Sequence, residues 1–225
     1  DALRAVDRAI EIFREAGDHH AEGRALIKKS TILHEKGDAE AALPLLDRAA
    51  SLVDPGREPR LLLMVKQNLV LFLSELGEAM EARKLLPEAR KLAMEVGGGL
   101  DRLRVLWIEG TVHRKLGQAG LAEAALRRSM TGFTEAGIGF DAALAALELA
   151  VLYLETGRRS DARNLAVEMI PIFAANDVHR EALAALVVVQ KAMEQDAVNL
   201  GLVQEAASFL RRARRNPALR FEPPT

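Results

Sequence analysis

The 225-residue chain has no cysteine, a single Trp, a single Tyr and seven Phe, and its 31 basic and 32 acidic side chains leave a formal charge of -1. Each shortage excludes something. Without cysteine there is no disulfide framework, no thiolate metal site and no cysteine nucleophile. Aromatics at 4% argue against a sandwich, a barrel or a large sheet, which draw on aromatic and β-branched residues. Balanced charge sets up no global field to attract nucleic acid or a membrane surface. No run of about 18 uninterrupted apolar residues is present and no charged, apolar and small-residue leader opens the chain. The expectation is a soluble protein of the cytoplasm. What the chain has in excess is Ala (38) and Leu (35), about a third of all positions, which together with Glu and Arg is the composition of packed helices.

An internal beat organises these residues. Glycine closes a helix-like run at Gly17, Gly37, Gly77, Gly97, Gly117, Gly137 and Gly157, at spacings of 20 or a multiple of it, and the gaps are filled by Asp54-Pro55-Gly56 and Asn176-Asp177. In EAGD at 15–18 and EKGD at 35–38, Gly suits the left-handed position after a helix and Asp18 or Asp38 can cap the next one. Alternate units are more alike than neighbours, so the period is 40 residues and two helices. Ala2, Ala42, Ala82, Ala122 and Ala162 recur in one register, and Ala9, Ala49, Ala89, Ser129 and Met169 in a second. Small residues at fixed positions are what close helix–helix approach requires. Larger apolar residues run between them, with Phe13, Val53, Ala93, Phe133 and Phe173 before the next break, at helical spacings of three and four.

The segments at 33–52, 73–92, 113–130 and 153–170 resemble the tetratricopeptide repeat family, in a long-period variety found in bacterial regulators. Each has the turn glycine, the Ala five residues later, and a large side chain late in the first helix: Leu33, Leu73, His113 and Tyr153. The 40-residue unit exceeds the family's more common 34 residues, and Leu replaces much of the family's aromatic packing. The resemblance implies an all-α solenoid of antiparallel helix pairs, about 11 helices, wound as a right-handed superhelix. A half repeat is expected at 2–16, then helix pairs at 18–56, 58–97, 100–137, 139–177 and 178–215, all within one array at 1–216, and a non-helical tail at 217–225. Residues 2–16 read as a second helix without its first, as in a piece of a longer protein.

Catalytic patterns are missing: there is no G-x-x-x-x-G-K-S/T, H-E-x-x-H or G-x-S-x-G. Gly97-Gly98-Gly99 reads as a linker rather than a phosphate loop. His19 and His20 beside Asp18 lack a third ligand, and Glu109 with His113 reads as a surface hydrogen bond on one helix face. Pro44, Pro87 and Pro171 stand inside second helices and should bend them. The basic run Arg211 to Arg215 suits a helix C-terminus.

In the family the inner groove is lined by the first helix of each pair. Projected onto this chain, that places Arg24, Thr31 and His34 in one repeat, Gln67 in the next, and Arg104, Trp107, Thr111, Arg114 and Lys115 in the third. The third is the outlier, with the sole Trp among three cations and a Thr, a mix enriched at binding hot spots. The family's carboxylate-clamp pattern is not matched, because Thr111 stands where it would have Asn and Lys115 stands alone. The expected function is therefore a non-enzymatic scaffold, without metal or cofactor, that binds a peptide or helix of a partner protein. The alternatives are a sensor or regulatory arm of a longer bacterial signalling protein, or a module that self-associates into a homo-oligomer.

Overall fold

A computed structural model describes residues 2–175, 189 and 200–213. The described residues form ten α-helices and no strand: α1 (Ala2–Glu15), α2 (His19–Glu35), α3 (Ala39–Leu52), α4 (Pro59–Glu75), α5 (Ala79–Glu95), α6 (Gly99–Lys115), α7 (Ala119–Glu135), α8 (Gly139–Glu155), α9 (Arg159–Ala175) and α10 (Leu200–Ala213). The described residues are all-α, and within each unit helices pack on their neighbours in helical-repeat fashion. The expected first helix of the last pair and the tail at 217–225 fall outside the described residues. Contacts gather into two compact units, Asp1–Leu116 and Gly117–Thr225.

Helix ends follow from the turn glycines. Gly17, Gly37, Gly77, Gly117, Gly137 and Gly157 all have φ between 68° and 86°, where an L side chain is disfavoured by contact with its own backbone. At Gly37 the backbone N–H donates to the His34 carbonyl (2.9 Å) and the next N–H, of Asp38, donates to the Leu33 carbonyl (3.0 Å). The same pair of bonds recurs at Gly17, Gly77, Gly137 and Gly157, satisfying carbonyls that a helix end would leave bare. Asp18 and Asp38 then accept from the Ala21 and Ala41 N–H groups at 3.0 and 3.1 Å and start the following helices. Gly97 departs from this scheme. Its φ is not positive; instead an added Cβ would lie 2.6 Å from the Ala93 carbonyl oxygen and 3.0 Å from the Asp101 Cβ, so there glycine answers crowding.

Between the turns, packing rests on a repeated face. Ala42, Leu46 and Ala49 of α3, Ala82, Leu86 and Ala89 of α5, and Ala122, Leu126 and Ser129 of α7 are all buried. In the first unit these residues join Leu26, Ile27, Val65, Val70 and Phe72 from the first helices. Packing is close at Gly23 of α2, where a Cβ would meet Val53 Cγ1 at 2.8 Å. Charge supplements this core at buried carboxylates. Glu22 has its Oε1 held by Arg14 of α1 (3.0 Å) and Arg48 of α3 (2.8 Å), so one carboxylate ties three helices together.

Gly37→Ala should lower stability by about 1 kcal/mol, since only the left-handed backbone penalty acts where nothing lies within 4 Å of the new Cβ. Gly37→Asn should lower it less, because Asn tolerates that conformation better. Urea titration reads both variants, and an unchanged midpoint for Gly37→Ala would show that the turn does not depend on the left-handed residue.

Candidate functional site

In the first unit the first helices α2, α4 and α6 form one wall, with α4 touching both of the others. A shift of 40 residues carries a position to its equivalent on the next helix of this wall, so Arg24, Met64 and Arg104 occupy one row. Arg24 is 60% exposed at its side chain, with Nη1 3.6 Å from Glu58, and Met64 is 45% exposed. Arg104 is partly exposed and its Nη1 lies 3.9 Å from Asp101. Arg60, one turn before Met64, extends its exposed side chain to Asp101 Oδ2 at 2.7 Å. Asp101 also accepts the Gly98 N–H at 2.9 Å. That capping bond places the chain's own carboxylate at the positive start of α6.

The other expected groove residues divide by burial. Lys115 is exposed and Trp107 is half-buried, packing beside Val70, Leu86 and Ile108, with its indole N–H buried and lacking an acceptor. Thr31 donates to the Ile27 carbonyl at 2.9 Å. His34 stacks on Phe72 with centroids 4.0 Å apart and places Nε2 2.5 Å from Glu75 Oε2, joining α2 to α4. Gln67, Thr111 and Arg114 are buried. Gln67 donates to the Asp101 carbonyl at 3.3 Å and Thr111 to the Trp107 carbonyl at 3.2 Å. Gln67 thereby joins α4 to α6, and the exposed or partly exposed side chains of the wall are Arg24, Met64 and Arg104 with Arg60 and Lys115. Arg60 and Asp101 were not foreseen as wall residues, although an acid three residues after Gly98 is a recognisable helix-start pattern.

The remaining candidates for chemistry are engaged structurally. His20 is buried and its Nδ1 accepts the Asp54 N–H at 3.0 Å, while neighbouring His19 is exposed, so the two rings do not converge. Glu109 receives a two-pronged contact from Arg90, with His113 Nε2 3.4 Å away. Among the described residues no group of three or more His, Asp or Glu is placed to hold a metal ion.

The second unit contains a polar cluster around Tyr153. Tyr153 of α8 is buried between two guanidiniums, with Arg158 Cζ 4.5 Å and Arg127 Cζ 5.7 Å from its ring centroid. Its hydroxyl donates to Glu123 Oε1 at 2.7 Å, and Arg158 donates to Glu123 Oε2 at 2.6 Å. The Arg158 hydrogen bond is the main reason that the Glu123 carboxyl is lowered to about 2, against the opposing effect of burial, with Tyr153 and Arg127 assisting. Burial, then donation to Glu123, pushes the Tyr153 phenol up to about 12. The cluster ties α7 to α8 and to the residue that precedes α9. Only its i, i+4 pair, Glu123 with Arg127, is visible from spacing.

No family model matches the sequence, and no curated protein matches it. Among solved structures, the crystal structure of BtubC (BKLC) from P. vanneervenii is similar in fold, with a TM-score of 0.66 at 17% sequence identity over 99% of this chain and 93% of that one. At that identity the likeness concerns the helical architecture alone. No helix among the described residues is long and apolar enough to cross a membrane.

A lowered carboxyl stabilises the fold above its unfolded value and loses that contribution as pH falls through the folded one. The excess stability of the wild type over Glu123→Gln should therefore be full above about pH 4.5 and shrink toward pH 2. Urea midpoints measured across that range check the prediction, and a constant difference would mean that ionised Glu123 is not what holds the cluster.

Proposed function

We propose that this chain is a non-catalytic scaffold of tetratricopeptide-repeat type, acting in the cytoplasm, that binds a segment of a partner protein across the α2, α4 and α6 wall. One observation carries the reading: an exposed thioether, Met64, stands in a row between the guanidiniums of Arg24 and Arg104 on the neighbouring helices. Methionine adapts to varied apolar side chains, and guanidiniums give two-pronged hydrogen bonds to carboxylates. The matching ligand is an apolar side chain flanked by acidic ones. Two features support a binding role over catalysis. Repeat arrays present extended surfaces, and the ionisable pairs that might have done chemistry, at His20 and Glu109, hold helices together.

Peptides selected by display on the wild-type protein should share an apolar residue with acidic neighbours. Arg24→Glu with Arg104→Glu should weaken them by about tenfold or more, as for loss of central hot-spot contacts, whereas Arg83→Glu on α5 should leave them unchanged. Trp107, the sole Trp, reports binding by its fluorescence. Equal affinity for both variants would remove this row from the binding site.

A further inference from the structure

Three of the helix connections in the first unit close on a left-handed glycine, at Gly17, Gly37 and Gly77. The connections between α3 and α4 and between α5 and α6 do not, since neither Gly56 nor Gly97 has a positive φ. Each of these two is clasped instead from the start of a first helix, by His20 of α2 and, at the equivalent position of α4, by Arg60. The His20 ring is buried and its Nδ1 accepts the Asp54 N–H at 3.0 Å, just beyond the end of α3. Arg60 reaches Asp101 Oδ2 at 2.7 Å, and Asp101 accepts the Gly98 N–H at 2.9 Å. Where the turn glycine is left-handed again, at Gly137, the next residue of this series is Leu100, which has no polar group to offer.

The two clasps differ in one respect. A guanidinium keeps its charge, whereas imidazoles exchange a proton with solvent between about pH 8 and pH 5. A backbone N–H is always a donor, so the Nδ1 that accepts it carries no proton and the neutral ring has its proton on Nε2. A second proton can then enter only at Nδ1, the atom that holds Asp54. The charged ring has two donors and no acceptor, so taking up the proton and keeping the hydrogen bond exclude each other. The charged groups nearby leave that choice in place. Glu58, at the start of α4, lies 3.6 Å from Nε2, the side that is protonated in both forms, and Arg24 approaches the same Glu58 oxygen at 3.6 Å. The Asp54 carboxylate is turned to the Gly56 N–H at 2.8 Å. Asp18 faces Arg57 at 3.8 Å, and Glu22 is held by Arg14 of α1 and Arg48 of α3.

We propose that His20 is a pH-operated latch on the α3–α4 connection. With the ring neutral, Asp54 is tied to a side chain 34 residues earlier; with the ring charged, the tie is lost and residues 54–58 come away from α2. The α5–α6 connection, clasped by Arg60 through Asp101, contains no such ring and stays closed. Acid therefore loosens one joint of the first unit and spares the next. The latch does not depend on what the α2, α4 and α6 wall binds.

Amide hydrogen exchange in the full chain, read by NMR between about pH 7.5 and pH 5 and expressed relative to the intrinsic rate at each pH, tests the latch. The Asp54 amide should lose protection by up to about tenfold per pH unit, the slope for uptake of one proton, while the Gly98 amide keeps its protection. The His20 ring nitrogen shifts should show Nδ1 bare at the upper end of the range and protonated as Asp54 protection falls. His20→Asn offers an amide oxygen as acceptor in place of Nδ1 and takes up no proton, so its Asp54 protection should be flat. Nδ1 protonated at the upper end overturns the proposal, as does Asp54 protection that stays constant while the ring becomes charged. A fall that Gly98 shares equally, or that His20→Asn retains, also overturns it. Should His20→Asn not fold, the wild-type comparison of Asp54 with Gly98 and the ring nitrogen shifts decide alone.

Discussion

Close approach between helices is the constraint on which the rest of this protein depends. Ala42, Ala82, Ala122 and Ala162 are fully buried, and a larger side chain at any of them would wedge two helices apart. Interaxial distance is set by the side chains at the contact, so these alanines fix how near α3, α5, α7 and α9 come to their neighbours. Gly23 shows the limit, with no room for even a methyl group. The leucines beside the alanines then supply the apolar area that keeps the helices together.

Much of this was legible before any coordinates. Turn glycines are a local matter, because the left-handed residue is required by the backbone and needs no distant partner, and six of the seven marked glycines have that conformation. Asp18 and Asp38 could be read as caps because a cap reaches only three residues along the chain. Gly97 shows where local reading stops. It shares the spacing of the others, but its reason is the Ala93 carbonyl and the Asp101 side chain beside it.

The polar architecture was much less legible, and for a physical reason. Glu22 is buried under arginines 8 residues before it and 26 after it, and Arg60 meets Asp101 across 41 residues. Such pairs follow from how helices are stacked, which the periodic pattern fixes only to within a turn. The projection named Gln67, Thr111 and Arg114 on the first helices as exposed to a groove, whereas their side chains are buried. Tyr153 was visible as a large residue late in its helix, while the two guanidiniums on its ring came from α7 and from the turn after α8.

The turns carry a further consequence. At Gly17, Gly37, Gly77, Gly117 and Gly157 nothing lies within 4 Å of where a side chain would begin, so these glycines take no part in tertiary packing themselves. Much of the specificity between adjoining helices resides in their flanks. A gene segment encoding 40 residues, cut at equivalent turns, can thus be copied in tandem or deleted by recombination with the repeat register kept. Lengthening the array is a heritable change that leaves local geometry intact, whereas insertion of a few residues into a helix shifts every alanine out of its contact.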